Sequence, residues 1–128
     1  MDENFFDEID TKAKAYWLGF IYADGSVYIN KKNGYKQMEI AVKIDDEQII
    51  DSFIHIIQPS TRKFIKTKQY MRAVIRINSQ KICNDLIKHS CVMRKSMIIE
   101  LPVLVSRKLY LAFLLGFFDG DGKQKTTK

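Results

Sequence analysis

The chain has little cysteine: Cys83 and Cys91 are the only two among 128 residues. Two thiols make no disulfide framework and point to a reducing, intracellular compartment. His89 lies between them, but a fourth ligand is missing and the spacing matches no common zinc pattern, so they read as small buried thiols. Long apolar runs are absent as well. The longest break off well before the roughly 18 residues of a membrane helix, and residues 1–8 (Met-Asp-Glu-Asn-Phe-Phe-Asp-Glu) are acidic where a secretory signal is basic. Neither a membrane span nor an export signal is expected. The length excludes two domains of ordinary size. Acidic residues are outnumbered, 15 Asp and Glu against 21 Lys and Arg, and the net charge of +6 makes a polyanion the expected partner.

What the chain does have is an internal repeat. Ala15-Tyr-Trp-Leu-Gly-Phe-Ile-Tyr-Ala-Asp-Gly25 returns as Ala112-Phe-Leu-Leu-Gly-Phe-Phe-Asp-Gly-Asp-Gly122 at one constant offset, with Ala, Leu, Gly, Phe, Asp and Gly in matching places. Each copy is mostly apolar and about three helical turns long, and its Asp-Gly ending reads as a buried helix stopped by glycine. Small residues recur every fourth position: Ala15, Gly19 and Ala23, then Ala112, Gly116 and Gly120. Such a stripe lies on one helix face and lets another backbone approach closely. Two matching stripes predict two helices packed on each other.

With a twofold relation between them, Asp24 and Asp121 leave the same end of the pair. Crowded carboxylates repel unless a cation or a proton lies between them. Hard oxygen ligands suit magnesium or another divalent cation. In a basic protein this points to metal-assisted hydrolysis of a phosphodiester. The plainer reading, two core helices with glycine caps, accounts for one copy more easily than for both.

Asp10 or Thr11 is placed to cap the first helix, with Phe5 and Phe6 beside it. After Gly25 the period changes to two: Val27 and Ile29 alternate with Ser26, Tyr28 and Asn30. Beyond Asn33-Gly34, Met38, Ile40, Val42 and Ile44 alternate with Gln37, Glu39, Ala41 and Lys43, which is a hairpin with one apolar face. Asp45 to Gln48 resembles a capping box before a helix that Pro59 closes. A second hairpin is expected from Arg62 to Thr67 and Tyr70 to Ile77, followed by a helix capped by Ser79 that turns Ile82, Cys83, Leu86 and Ile87 inward. The order is helix, hairpin, helix, hairpin, helix: an α+β fold, an antiparallel four-stranded sheet with its helices on one face. The other face collects Tyr28, Asn30, Gln37, Lys43, Arg72 and Arg76, with Lys66 or Lys63 depending on register. Such a polar, basic face suits the major groove of double-stranded DNA, although any antiparallel sheet has a solvated face.

Trp17-Leu-Gly-Phe-Ile-Tyr-Ala-Asp-Gly25 and Leu114-Leu-Gly-Phe-Phe-Asp-Gly-Asp-Gly122 both resemble the nine-residue signature of the LAGLIDADG homing endonucleases. The resemblance implies two αββαββα halves joined through their signature helices, with the acid before the last glycine binding the catalytic metal. Carried over, those acids are Asp24 and Asp121, with the carbonyls of Ala23 and Gly120 as additional ligands. The first copy departs at Tyr22, where the signature has an acid. Cys91-Val-Met-Arg-Lys-Ser-Met-Ile-Ile-Glu-Leu-Pro102 resembles the Arg-Lys-Ser-…-Pro connection of many members, and makes Lys95 a candidate for phosphate contact or charge stabilisation near the metal. Ser106 is the expected cap of the second signature helix.

The resemblance implies a magnesium-dependent enzyme that cuts both strands of a long DNA site, in the setting of intron or intein homing by a mobile element. Residues 1–102 form the first unit, and 103–128 supply the signature helix of a second unit without its sheet. A homodimer or a second-half fragment joined through the signature helices is the expected way to complete it. The alternative is a non-cleaving binder on the same fold, an RNA splicing factor or a DNA-binding regulator.

Overall fold

The computed structural model describes residues 1–67, 71–89, 104 and 106–125, with side chains through residue 120. Helix α1 (Lys12–Asp24) starts at Thr11, whose hydroxyl accepts a hydrogen bond from the Lys14 amide at 3.2 Å. Residues Trp17 through Tyr22 are all buried, so beyond its first turn this helix has no solvent face. It is enclosed between the sheet and α4 (Arg107–Lys125), as a helix apolar on every side must be.

Gly25 ends α1 for a reason other than a left-handed cap. Its φ of −107° and ψ of 178° are extended, and it pairs with Ile40 as the first residue of β1 (Gly25–Ile29). A Cβ there would approach the Ile21 Cγ2 to 2.8 Å. The glycine is required by space. In the second copy, by contrast, α4 runs through Gly120 and Gly122 to Lys125. Glycine inside a helix costs only about 1 kcal/mol, so the Asp-Gly pair does not stop a helix unless strand pairing draws the chain away.

Strand β2 (Lys36–Lys43) follows a turn in which the Gly34 amide donates to the Asn30 carbonyl at 2.8 Å and Gly34 takes φ 76°. A short 3-10 turn, Ile44–Asp46, then leads into α2 (Glu47–Ile57). The expected capping box does not form: Asp46 is the cap residue, and its side chain makes no capping bond. The helix closes at Gln58, held left-handed at φ 53°, since Pro59 disfavours the right-handed helical region for the residue before it. Strands β3 (Phe64–Lys66) and β4 (Arg72–Ile77) are shorter than the alternation suggests, and the turn around Lys68 and Gln69 falls outside the described residues. Ser79 caps α3 (Gln80–Lys88), accepting from the Ile82 amide at 3.2 Å, and Ser106 accepts from Leu109 in the same way at the start of α4.

The sheet is four-stranded and antiparallel, in the order β1-β2-β4-β3. Val27, Met38, Ile40, Val42, Ala73, Ile75 and Ile77 point to one side and pack with α1, α2 and α3. Trp17 meets Phe53 of α2 at 5.1 Å between ring centroids. Phe5, Phe6 and Ile9 close the core from the amino-terminal segment. That segment is fastened by Asp7, which pairs with Lys81 at 3.1 Å and Lys88 at 3.3 Å. No helix among the described residues is long and apolar enough to cross a membrane.

Candidate active site and nucleic-acid interface

The two small-residue stripes meet. A Cβ on Gly19 would lie 2.0 Å from the Phe113 carbonyl oxygen, and one on Gly116 would lie 1.9 Å from that of Tyr16. Phe113 is the repeat equivalent of Tyr16, so each glycine receives the same carbonyl of the other helix. The α1–α4 crossing therefore follows an approximate twofold axis that passes between Gly19 and Gly116 and exchanges them. Farther along, a Cβ on Gly120 would fall 2.9 Å from the Ala23 Cβ and 3.4 Å from the Asp24 Cβ.

Asp24, half-buried, is thus the last residue of α1 and packs against the residue that precedes Asp121. The Asp121 side chain lies outside the described residues, as does Lys95. Helix α1 carries no basic residue in its last turn. A carboxylate at that end meets the negative pole of the helix dipole, an unfavourable placement of some 0.3–1 kcal/mol that a cation reverses. Ala23 lies in the same last turn, where carbonyls point beyond the helix end. This all-oxygen donor set fits magnesium or calcium and does not fit zinc. Among the described residues no three His, Cys, Asp or Glu side chains gather into a metal site of their own.

At one interface position the repeat exchanges an aromatic ring for a carboxylate. Asp119 occupies the place of Tyr22, and it accepts a 2.6 Å hydrogen bond from the Tyr16 hydroxyl. Burial, together with this carboxylate, pushes the Tyr16 hydroxyl above its ordinary range. The Tyr22 hydroxyl donates to the His89 carbonyl. Sequence reading passed over Asp119; the signal available was the position where the two copies disagree.

On the outer face of the sheet, register sets the rows, because directly paired residues share a side. Tyr28 stands beside Gln37, whose amide donates to Asn78 at 2.7 Å. Glu39 pairs with Arg76, accepting from its Nε at 2.6 Å, and the Arg76 guanidinium lies 4.9 Å from the Phe64 ring centroid. Lys43, Arg72 and Lys66 form a cationic row across β2, β4 and β3. Lys66 is therefore the lysine of this face; Lys63 turns instead to Glu47 and Asp51 of α2. Asn30 belongs to the turn, where its side chain accepts from the Lys32 amide at 2.9 Å. At the hairpin end, Tyr28, Tyr35, Lys36, Gln37, Asn78 and Gln80 line an open cleft of about 400 Å³. Phe64 was not foreseen as a member of this face, and Glu39, which the alternation placed there, was not named a site residue.

No family model and no curated protein sequence matches this chain. Among solved structures, a mesophilic variant of the homing endonuclease I-DmoI has a similar fold, with a TM-score of 0.57 and 17% identity over 98% of this chain. The chain spans 63% of that structure's length. The meganuclease I-SmaMI, solved bound to uncleavable DNA, aligns at 22% identity and a TM-score of 0.41, over 91% of this chain and 42% of its own. The α+β architecture, with its four-stranded antiparallel sheet, is thus one shared with a homing endonuclease.

Proposed function

We propose that residues 1–128 are the DNA-gripping sheet and the catalytic helix pair of a divalent-metal-dependent, site-specific DNA endonuclease of the LAGLIDADG type. The observation that carries this reading is the glycine-to-backbone crossing of two Asp-Gly helices, with Asp24 packed against Gly120 at its end. A helix pair needed only for stability has no use for a carboxylate at a negative helix terminus. The fold shared with I-DmoI supports the same reading.

Asp24 and Asp121 would hold the metal, with the Ala23 and Gly120 carbonyls as additional ligands, and Lys95 would serve phosphate contact. Bound there, a magnesium ion would supply Lewis acidity at the phosphate and an acidified water. The protein's own residues position the duplex. Lys43, Arg72 and Lys66 stand in one row across three strands, a line of positive charge to which a phosphate backbone is complementary. Tyr28, Gln37 and Arg76 present the side-chain chemistry that reads base edges.

Selection from a randomised duplex pool tests the grip: a preferred sequence should emerge, and competition by single-stranded RNA should be weak. Calorimetric titration of magnesium into the selected complex tests the site, with binding lost in Asp24→Asn. A pool that yields no preferred duplex, or a preference for RNA, would refute the proposal.

A further inference from the structure

Around the α1–α4 axis, Tyr16 and Phe113 are equivalent, and so are Tyr22 and Asp119. The crossing therefore contains two related pairs, Tyr16 with Asp119 and Phe113 with Tyr22. The first is a hydroxyl donating to a carboxylate at 2.6 Å. The second is two rings edge to face at 5.0 Å, interplanar angle 82°, with the Tyr22 hydroxyl directed to the His89 carbonyl. We infer that this inequality is a partner code: the crossing face of α1 takes a helix with a carboxylate one turn past its crossing glycine, and disfavours a second copy of α1.

Both like pairings are worse than the mixed one. If α1 of another chain replaced α4 and kept the glycine contact, its Tyr16 would occupy the site of Phe113, which is 1% exposed. The tyrosine hydroxyl would be carried into a ring-packed position that offers Tyr22 and no carboxylate. Tyr16 on the opposite side of the axis would lose Asp119 by the same exchange. A buried hydroxyl without its partner is unfavourable. If two α4 helices paired, each part-buried Asp119 carboxylate would face a Phe113 ring in place of its hydroxyl donor, which is unfavourable as well. The glycine stripes alone would allow all three pairings; Tyr16 and Asp119 discriminate among them. This selection depends on the packing alone and holds whether or not the chain cleaves DNA.

Trapping in the full chain tests it. Ala23 lies at the axis opposite Gly120, so two α1 helices paired in the same manner would bring two Ala23 positions together. In a background with Cys83→Ala and Cys91→Ala, Ala23→Cys should give little disulfide dimer under mild oxidation. Adding Tyr16→Phe, which removes one oxygen, should raise dimer formation about tenfold or more, the usual worth of a hydrogen bond to a charged group. Asp119→Leu should do the same, whereas Asp119→Asn, which keeps an acceptor, should resemble the parent. Sedimentation equilibrium without Ala23→Cys should give the same ranking, and thermal melting verifies that each variant is folded. Should Tyr16→Phe destroy folding, the Asp119 pair of variants carries the comparison. Equal trapping in parent, Tyr16→Phe and Asp119→Leu would overturn the inference. Dimers that sediment but do not cross-link would overturn it too, by locating the contact on another face.

Discussion

A Cβ added to Gly19 would stand 2.0 Å from the carbonyl oxygen of Phe113, inside any tolerable contact. Replacing glycine by alanine within a helix ordinarily stabilises it by about 1 kcal/mol. Gly19→Ala and Gly116→Ala should reverse that sign, because backbone cannot yield as a flexible side chain does. The expected loss is on the order of 1–3 kcal/mol for each, read as a lower melting temperature. A gain in either variant would mean that the helices do not cross at these glycines.

Asp24 should couple the stability of the protein to magnesium. Its carboxylate lies in the last residue of α1, where the helix dipole opposes it. Asp24→Asn removes that dipole penalty of about 0.3–1 kcal/mol and should abolish stabilisation by magnesium. Melting curves with and without the ion measure both effects. An unchanged response to magnesium in the variant would remove Asp24 from the site.

The pairing of Arg76 with Glu39 separates two residues that the sequence presents alike. Arg72 shares a row with Lys43 and Lys66, and Arg76 bonds to Glu39 and lies over the face of Phe64. Arg72→Ala should weaken specific and random duplexes alike and lower the salt dependence by about one ion. Arg76→Ala should weaken the selected sequence by roughly 1–3 kcal/mol and spare random DNA. Glu39→Gln should tighten random binding, since it removes the acid that, among the described residues, stands between the cations of this face. Filter binding over a salt series distinguishes these outcomes.

Cys83 is fully buried, and burial pushes its thiol up to about 11. The unfolded chain loses that proton near the ordinary value of 9.0. Between these values the unfolded state binds fewer protons, so stability should decline as pH rises from about 9 toward 11. Cys83→Val should flatten that decline, and alkylation of the native parent at neutral pH should be slow. Urea melts across the range read the slope; identical slopes in parent and variant would place the thiol in solvent.

The repeat, the sheet and its inward face were legible because each rests on a period: the small residues on four, Met38 to Val42 and Ala73 to Ile77 on two. The ends of elements were less so. Gly25 and Gly122 look identical in sequence, yet Gly25 leaves α1 by pairing with Ile40, a long-range partner no local pattern contains. Likewise Lys63 and Lys66 both looked available to the groove, and only register and the acids of α2 divide them. The Tyr16–Asp119 bond joins residues far apart in the chain. It needed the axis before the mismatch between the two copies acquired meaning.

Residues 1–128 by themselves should bind half a site and cut poorly. Strand β2 has 8 residues, about 26 Å at 3.3 Å each. That is the length of roughly 8 base pairs at 3.4 Å per step. One sheet therefore grips about one side of a cleavage centre, and in-line attack on both strands needs the other side held as well. Helix α4 shows where a second grip would attach. Leu114, Leu115 and Phe118 are the repeat equivalents of Trp17, Leu18 and Ile21, which α1 buries in the core of its own unit; on α4, Leu115 is 57% and Phe118 64% exposed. Leu115→Lys with Phe118→Lys should raise the solubility of the isolated chain and leave its melting temperature nearly unchanged, because these side chains contribute little to its core. Footprinting of the selected duplex should protect about 8 base pairs, and plasmid cleavage in magnesium should be slow and mostly limited to nicks. Efficient double-strand cutting by a chain proven monomeric on DNA would show that a single sheet suffices.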